Sequence, residues 1–428
     1  MTILVFTFSL LGAMALGMPI AFALLVCGLA LMWQLDMTDA QIIAQNVVNG
    51  ADSFPLMAIP FFMLAGQTMN AGGLSKRIIN FAFALVGHIR GGLGYVCIVA
   101  SCILASLSGS AAADAAAMSA LLFPMMISAG HDPKKSAGLI AAGSVIGPMV
   151  PPSSGLILFG VTAGLSITKL FLAAIVPGLM IAAGLWVAWW WVARNDNVTP
   201  PPRRPFKEVL SSFRDGIWAL MMPCIIIFGL KFGVFTPTEA GVVCSVYALV
   251  VSIYVYKELK WSQVYQVIYN AGQTTAVVMF LVAAALVSAW LIAIADIPGE
   301  VIKLLKPFMG SQLLMMIVIM ILVVVVGTAM DMTPTILILT PVLIPVVKAA
   351  GIDPIYFGVL FIINNAIGLV TPPVGTTLNV VCGVTKTKMD DIIVGVWPFM
   401  IAQLVVLALL VMFPSIVLVP LKLLQGQW

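Results

Sequence analysis

Apolar residues in this chain run in long blocks, and polar positions do little more than separate the blocks. The first block, residues 3–33, is interrupted at Gly17-Met18-Pro19, and a polar stretch follows from Gln34 to Ser53. Apolar segments then occupy 54–69, 78–86, 93–107 and 111–127, the last two joined by the polar tip Ser108-Gly109-Ser110. The segment 137–150 ends in Pro151-Pro152 and resumes as 155–165. A block over 170–192 leads into a polar linker, 194–215, with Pro200-Pro201-Pro202 and the bases Arg194, Arg203, Arg204, Lys207 and Arg214. Beyond it lie 216–233, 240–256, 274–295, 313–326, 333–347 and 355–370, then Pro372-Pro373, 374–384 and 392–418. A hydrocarbon core about 30 Å thick takes about 20 apolar residues per helical span. The pattern therefore predicts an all-α polytopic membrane protein of about ten spanning or half-spanning helices.

Composition narrows the class. Hydrophobic residues make up 62% of the 428 and charged residues only 8%, against about 25% charged in an average soluble domain. The net charge of +4 reflects loop orientation, and no basic stripe with interleaved aromatics points to nucleic acid. The six cysteines lie in apolar segments without a CxxC, so they read as small buried hydrophobes. His88 and His131 stand far apart at segment ends and are poor metal ligands. No Walker motif or catalytic constellation is visible, so transport would draw on an ion gradient or the membrane potential and not on a nucleotide. The first block lacks a charged leader and reads as a retained span.

An internal repeat decides the architecture. At an offset of 221 residues, Ala129-Gly130-x-Asp132-Pro133 falls on Ala350-Gly351-x-Asp353-Pro354. Pro124 falls on Pro345, Gly147 on Gly368, and Pro151-Pro152 on Pro372-Pro373. Each unit reads as a short helical hairpin, a Gly-x-Asp-Pro turn and a helix broken at Pro-Pro. Arg90 and Lys134-Lys135 flank the first hairpin, which places both its ends in the cytoplasm and makes it re-entrant. Carrying the count forward puts the second hairpin on the opposite side, so the repeat is inverted; Lys76-Arg77 do not fit that count. The implied organisation is scaffold helices over 1–90 and a first transport unit over 91–168, with hairpin 93–127 and broken helix 137–165. Scaffold with the linker follows over 169–308. A second unit covers 309–390, with hairpin 313–347 and broken helix 355–384, and a terminal helix covers 391–428.

The breaks carry the chemistry. Irregular backbone survives at membrane depth only inside protein or beside a wet cavity, and proline frees nearby carbonyls. Freed carbonyls can bind a hard cation such as Na⁺, with hydroxyls of Ser108 and Ser110 in one half and Thr328 and Thr371 in the other. Half-helix N-termini can face an anion. Asp114 and Asp331 follow the two tips; an intramembrane acid marks an ion or substrate path, and helix capping is the competing reading. Asn364-Asn365 precede the second break and either line it or pack helices together.

The motifs SLSGSAAADAAA, GSVIGPMVPPSSG, FTPTEAG, MDMTPTILILTPVLIPV and GLVTPPVG resemble the large membrane subunit, DctM type, of tripartite ATP-independent periplasmic (TRAP) transporters. The resemblance covers nearly the whole chain. It implies Na⁺-coupled elevator transport of an organic acid across the bacterial inner membrane. It also implies a small four-helix DctQ-type membrane subunit and a periplasmic DctP-type binding protein; with no four-helix extension here, the small subunit is expected to be a separate chain. By resemblance, one Na⁺ site would use Ser108, Ser110, Gly147, Val150 and Pro152, and the other Gly327, Thr328, Thr371 and Val374. Asp114, Asp331, Gly109 and Ser154 would lie near substrate. Family members that carry sialic acid place an arginine by its carboxylate, but no arginine follows Arg214 here. The expected cargo is thus a smaller carboxylate, a sugar acid of the diketogulonate kind or a C4-dicarboxylate. The alternatives are a stand-alone carboxylate or ion antiporter of the same fold and, more remotely, an intramembrane aspartyl enzyme.

Overall fold

Helix starts follow the capping side chains. Ser110, Asp132, Ser153 and Ser166 each accept a bond from an amide two or three residues ahead, and Ser311 and Asp353 do so in the second half. Each such cap is worth about 1 kcal/mol. The computed structural model describes residues 2–37, 39–194, 196, 198 and 202–425, without the side chains of residues 106–108.

The first half contains α1 (Thr2–Ala15), α2 (Ile20–Gln34), α3 (Ala40–Ala51), α4 (Ala58–Ala71) and α5 (Leu74–Val86). It continues with α6 (Gly92–Ser108), α7 (Ala111–Ser128), α8 (Pro133–Ser144), α9 (Ser154–Ala163) and α10 (Ile167–Ala193). The second half contains α11 (Phe206–Lys231), α12 (Pro237–Val250), α13 (Trp261–Ile294), α14 (Ile297–Leu305) and α15 (Gln312–Ala329). Then come α16 (Met332–Ala349), α17 (Pro354–Gly368), α18 (Thr376–Thr385), α19 (Met389–Met412) and α20 (Ser415–Gln425). No strand occurs among the described residues, and eight of their helices are long and apolar enough to cross a membrane.

The 221-residue offset runs much further than the motifs that revealed it. It maps Ala111–Ser128 onto Met332–Ala349, and Pro133 onto Pro354. It also maps Ala40, the start of α3, onto Trp261, the start of α13. One difference stands out there. The pair α3 and α4 is bent by 52° around Asp52, Ser53 and Pro55, whereas α13 runs unbroken for 34 residues. Pro55 lacks the amide needed to continue a helix. The second copy has Ala276 in its place, the residue most favourable to a helix interior.

The two halves exchange partners. Hairpin arm α7 packs on α18, and arm α16 packs on α9, so each hairpin meets the broken helix of the other half. Helices α10 and α19 pack on each other, and both touch α8 and α17. Backbone meets backbone where α8 crosses α19: a Cβ on Gly138 would lie 2.3 Å from Gly395 C, and one on Gly395 would collide with Lys134 O.

Several boundaries depart from the sequence pattern. The polar linker ends earlier than its composition suggests, because α11 already begins at Phe206, where Phe213 packs its ring 5.6 Å from Phe81. Helix α13 begins thirteen residues ahead of its apolar block, at Trp261, through a mixed polar and aromatic turn. The terminal segment is two helices, since Pro414 interrupts the run and Phe413 leaves the helical region at φ −125° and ψ 77°. Helix α10, which opens the stretch 169–308, packs on α19 and α20 and also touches α6, α8, α9 and α17. Lys76-Arg77, which resisted the loop count, share one end with the linker bases. Arg77 pairs with Glu258 at 2.6 Å, and the neighbouring Tyr256 hydroxyl donates to Asp215 O.

Candidate functional site

The first tip closes on the first break. Gly109 turns the chain at φ +57°, where a side chain would be strained. Its carbonyl accepts a bond from Ser154 Oγ at 3.1 Å, and a Cβ there would lie 3.2 Å from Pro152 O. Ser153 fixes the resumed helix, donating to Pro148 O at 2.5 Å while accepting from Leu156 N. Asp114 is buried, 4% exposed, and its carboxylate presses on Gly147: a Cβ at Gly147 would sit 2.5 Å from Asp114 Oδ2. The cap of α7 belongs to Ser110, which accepts from Ala113 N, so Asp114 is one turn past the capping position. Val150 is half-buried and turns its side chain toward Gly178 on α10. The side chain of Ser108 lies outside the described residues.

The second tip seats differently. Gly327 and Gly368 touch through backbone; a Cβ on Gly368 would fall 2.8 Å from Gly327 C. Two fully buried asparagines hold the hairpin to α17. Asn364 Nδ2 donates to Met320 O at 2.6 Å and Asn365 Nδ2 to Met332 O at 3.2 Å. In bilayers such bonds contribute about 0.6 kcal/mol on average. Asn365 thus packs helices and also faces the tip, since its Oδ1 would lie 3.2 Å from a Cβ on Gly327. Thr328 donates to Val325 O, and Thr371 donates to Ile367 O and lies 3.6 Å from Met400 Sδ on α19. No hydrogen bond joins Thr328 to Thr371 among the described residues. Val374 O accepts from Asn379 Nδ2 at 3.0 Å. Asp331 occupies the capping position of α16, but its side chain makes no capping bond. Instead Thr376 Oγ1, at the start of α18, donates to Asp331 Oδ1 at 3.5 Å.

Capping therefore does not account for either acid by itself. Thr376, Asn379 and Ser153 did not enter the sequence reading. Each lies within six residues of a Pro-Pro pair, and that proximity was the available signal. The described residues hold no cluster of His, Cys, Asp and Glu suited to a transition metal.

Two hairpins, each seated against a broken helix and packed on the opposite half, form the framework of a secondary transporter. The chain belongs to the family described as the tripartite ATP-independent periplasmic transporter, DctM component, which matches residues 7–416. It is 55% identical over 422 residues to the 2,3-diketo-L-gulonate TRAP transporter large permease protein YiaN of Escherichia coli, covering 99% of each chain. It is 37% identical to the sialic acid TRAP transporter large permease protein SiaM of Vibrio cholerae, over 96% of each. Among solved structures it shares the fold of the Alcanivorax borkumensis YdaH transporter, with a TM-score of 0.66 at 14% identity, over 89% of this chain and 90% of that one. The protein is a multi-pass inner-membrane permease subunit and not an enzyme, which removes the aspartyl-enzyme reading.

Proposed function

We propose that this permease takes up a small carboxylate, a sugar acid of the diketogulonate kind, driven by Na⁺ and by an elevator movement. A small DctQ-type membrane subunit and a periplasmic binding protein would complete the transporter. The reading rests on one observation above all: each hairpin tip seats on a Pro-Pro break, with a carboxylate beside it and the other half's broken helix behind it.

Na⁺ is a hard cation that takes oxygen ligands. Ser108, Ser110 and the carbonyls of Gly147, Val150 and Pro152 are the candidate donors in the first half. Gly327, Thr328, Thr371 and Val374 are those in the second. Neutralising Na⁺ beside Asp114 and Asp331 would let a carboxylate substrate approach despite the two acids. Helix α19 would travel with the hairpins, since it packs chiefly on α8, α17 and α18, and α10, packed along α19, would go with it. The bases at Lys134-Lys135, the linker and Lys257 mark the cytoplasmic end. Lys134 pairs with Asp391 at 2.7 Å, which brings the start of α19 to the same end. The second copy has Ile355 and Tyr356 where the first has Lys134 and Lys135, as an inverted repeat would require.

The cargo follows from two points: the relative of 55% identity named for 2,3-diketo-L-gulonate, and the lack of any arginine after Arg214. The test is uptake of labelled diketogulonate by proteoliposomes holding this chain, the small subunit and the binding protein. Uptake should need all three proteins and an inward Na⁺ gradient. Full-rate uptake by this chain alone would support a stand-alone carrier instead, and uptake indifferent to Na⁺ would remove the ion from the scheme.

A further inference from the structure

The basic end of the molecule holds a cavity of about 1030 Å³ that the hairpin sites do not use. It opens between the first turn of α5, the cytoplasmic part of α11 and the segment joining α12 to α13. Four bases line it, Lys76, Arg77, Arg204 and Arg214, against two acids, Asp215 and Glu258. Glu258 is engaged by Arg77 at 2.6 Å, and that guanidinium also lies 3.8 Å from the Tyr256 ring centre. Lys76, Arg204 and Arg214 enter no ion pair among the described residues. Arg204 is held by an aromatic ring, its guanidinium 4.9 Å from the centre of Phe83, and it also borders an adjoining cavity of about 390 Å³.

An apolar wall adjoins this charge. Along α11, Phe213, Trp218 and Met221 are 40%, 46% and 45% exposed, with Trp218 itself at the cavity rim. Guanidinium groups match phosphate oxygens through paired N–H donors. Basic pockets between helices on the cytoplasmic side suit anionic lipid headgroups. A soluble phosphate would use the bases and leave the apolar wall bare. A phospholipid would use both.

We propose that this cavity binds the headgroup phosphate of an anionic phospholipid of the inner leaflet, with its acyl chains lying along α11. The experiment is native mass spectrometry of the purified full-length chain, titrated separately with phosphatidylglycerol and phosphatidylethanolamine. The wild-type chain should retain phosphatidylglycerol about tenfold better. The double variant Arg204→Gln, Arg214→Gln should lose that preference and keep the melting temperature, and Lys303→Gln on α14 should change neither. Were the double variant to aggregate, Lys76→Gln alone should still weaken retention about fivefold. Equal retention of both lipids, or unchanged retention in these variants, overturns the proposal. Millimolar inorganic phosphate should leave the lipid in place; complete displacement would assign the cavity to a soluble phosphate and overturn the lipid assignment.

Discussion

The two Pro-Pro breaks share a plan and differ in how they are closed. The first is sealed. Gly147, Pro151, Pro152 and Ser153 are buried, Asp114 is buried beside them, and Ser154 ties the break to the tip. The second is open on one side, with Pro373, Val374 and Asp331 exposed. Register explains part of the contrast. At the 221-residue offset Asp331 corresponds to Ser110, whereas Asp114 corresponds to Thr335. The two acids therefore sit a turn apart on their helices and are not symmetric copies. Likewise Ser153-Ser154 is replaced by Val374-Gly375, so the first half-helix restarts on a side-chain cap and the second on a left-handed glycine. Duplicated backbone geometry has been kept while the side chains that seal it have diverged.

The sharpest way to break this comparison is at the matched glycines. Gly368→Ala would push a methyl into the Gly327 backbone, which cannot yield, whereas the hardest contact of Gly147→Ala is with the end of the Asp114 side chain, the Ser144 carbonyl lying further off at 3.2 Å. We expect Gly368→Ala to destabilise by about 1–3 kcal/mol, lowering yield and melting temperature, and Gly147→Ala to fold but transport poorly. Equal stability of the two variants would contradict the backbone seat at the second tip. Next come the acids. Asp114→Asn should cut uptake about tenfold, about 1.4 kcal/mol in barrier terms, at unchanged expression. Asp331→Asn, at an exposed position, should cost less; a reversed order would mean that burial does not set their importance.

A smaller effect is expected at Thr371, whose counterpart is Val150. Thr371→Val makes the second half resemble the first there and removes one hydroxyl without changing volume much. The Na⁺ concentration for half-maximal uptake should rise about threefold, a loss within the ordinary worth of one hydrogen bond; no rise takes Thr371 out of the ion site. The smallest effect concerns the turns before the broken helices, where His131 in the first half is matched by buried Ile352 in the second. Burial pushes the His131 pKa below its usual 6.5, against the opposing pull of Asp196, whose carboxylate lies 3.5 Å away. The unfolded chain therefore takes up a proton near pH 6.5 that the fold resists. Stability should be complete above that pH and decline as pH falls toward the folded pKa. His131→Gln should flatten the decline, a difference of a few degrees in melting temperature.

Much of the transport core was legible because glycine, proline and small polar residues punctuate it. The hairpin tips, the Gly-x-Asp-Pro turns and the breaks all come from residues whose backbone limits are strong. The rest of the duplication was hidden because the outer helices carry few such markers. The sequence around Ala40 gives no sign that it corresponds to Trp261, and one copy bends where the other runs straight. The approach of the first tip to the first break was also legible: Gly109 touches Pro152 and Ser154, and Asp114 touches Gly147. The exchange of partners was not. That α7 would pack on α18 and α16 on α9 depends on tertiary crossing, which no local pattern encodes. Thr376 illustrates the point: it reads as an ordinary first-turn residue until folding brings it to Asp331.

The bare backbone contact between Gly138 on α8 and Gly395 on α19 bears on what the covalent link between the halves does. Each half, taken alone, would leave its side of that contact bare, and each hairpin would keep its own broken helix but lose the one it meets in the other half. The two halves therefore cover each other's backbone. The polar linker between α10 and α11 keeps them on one chain, so two surfaces that fit each other never have to meet by diffusion.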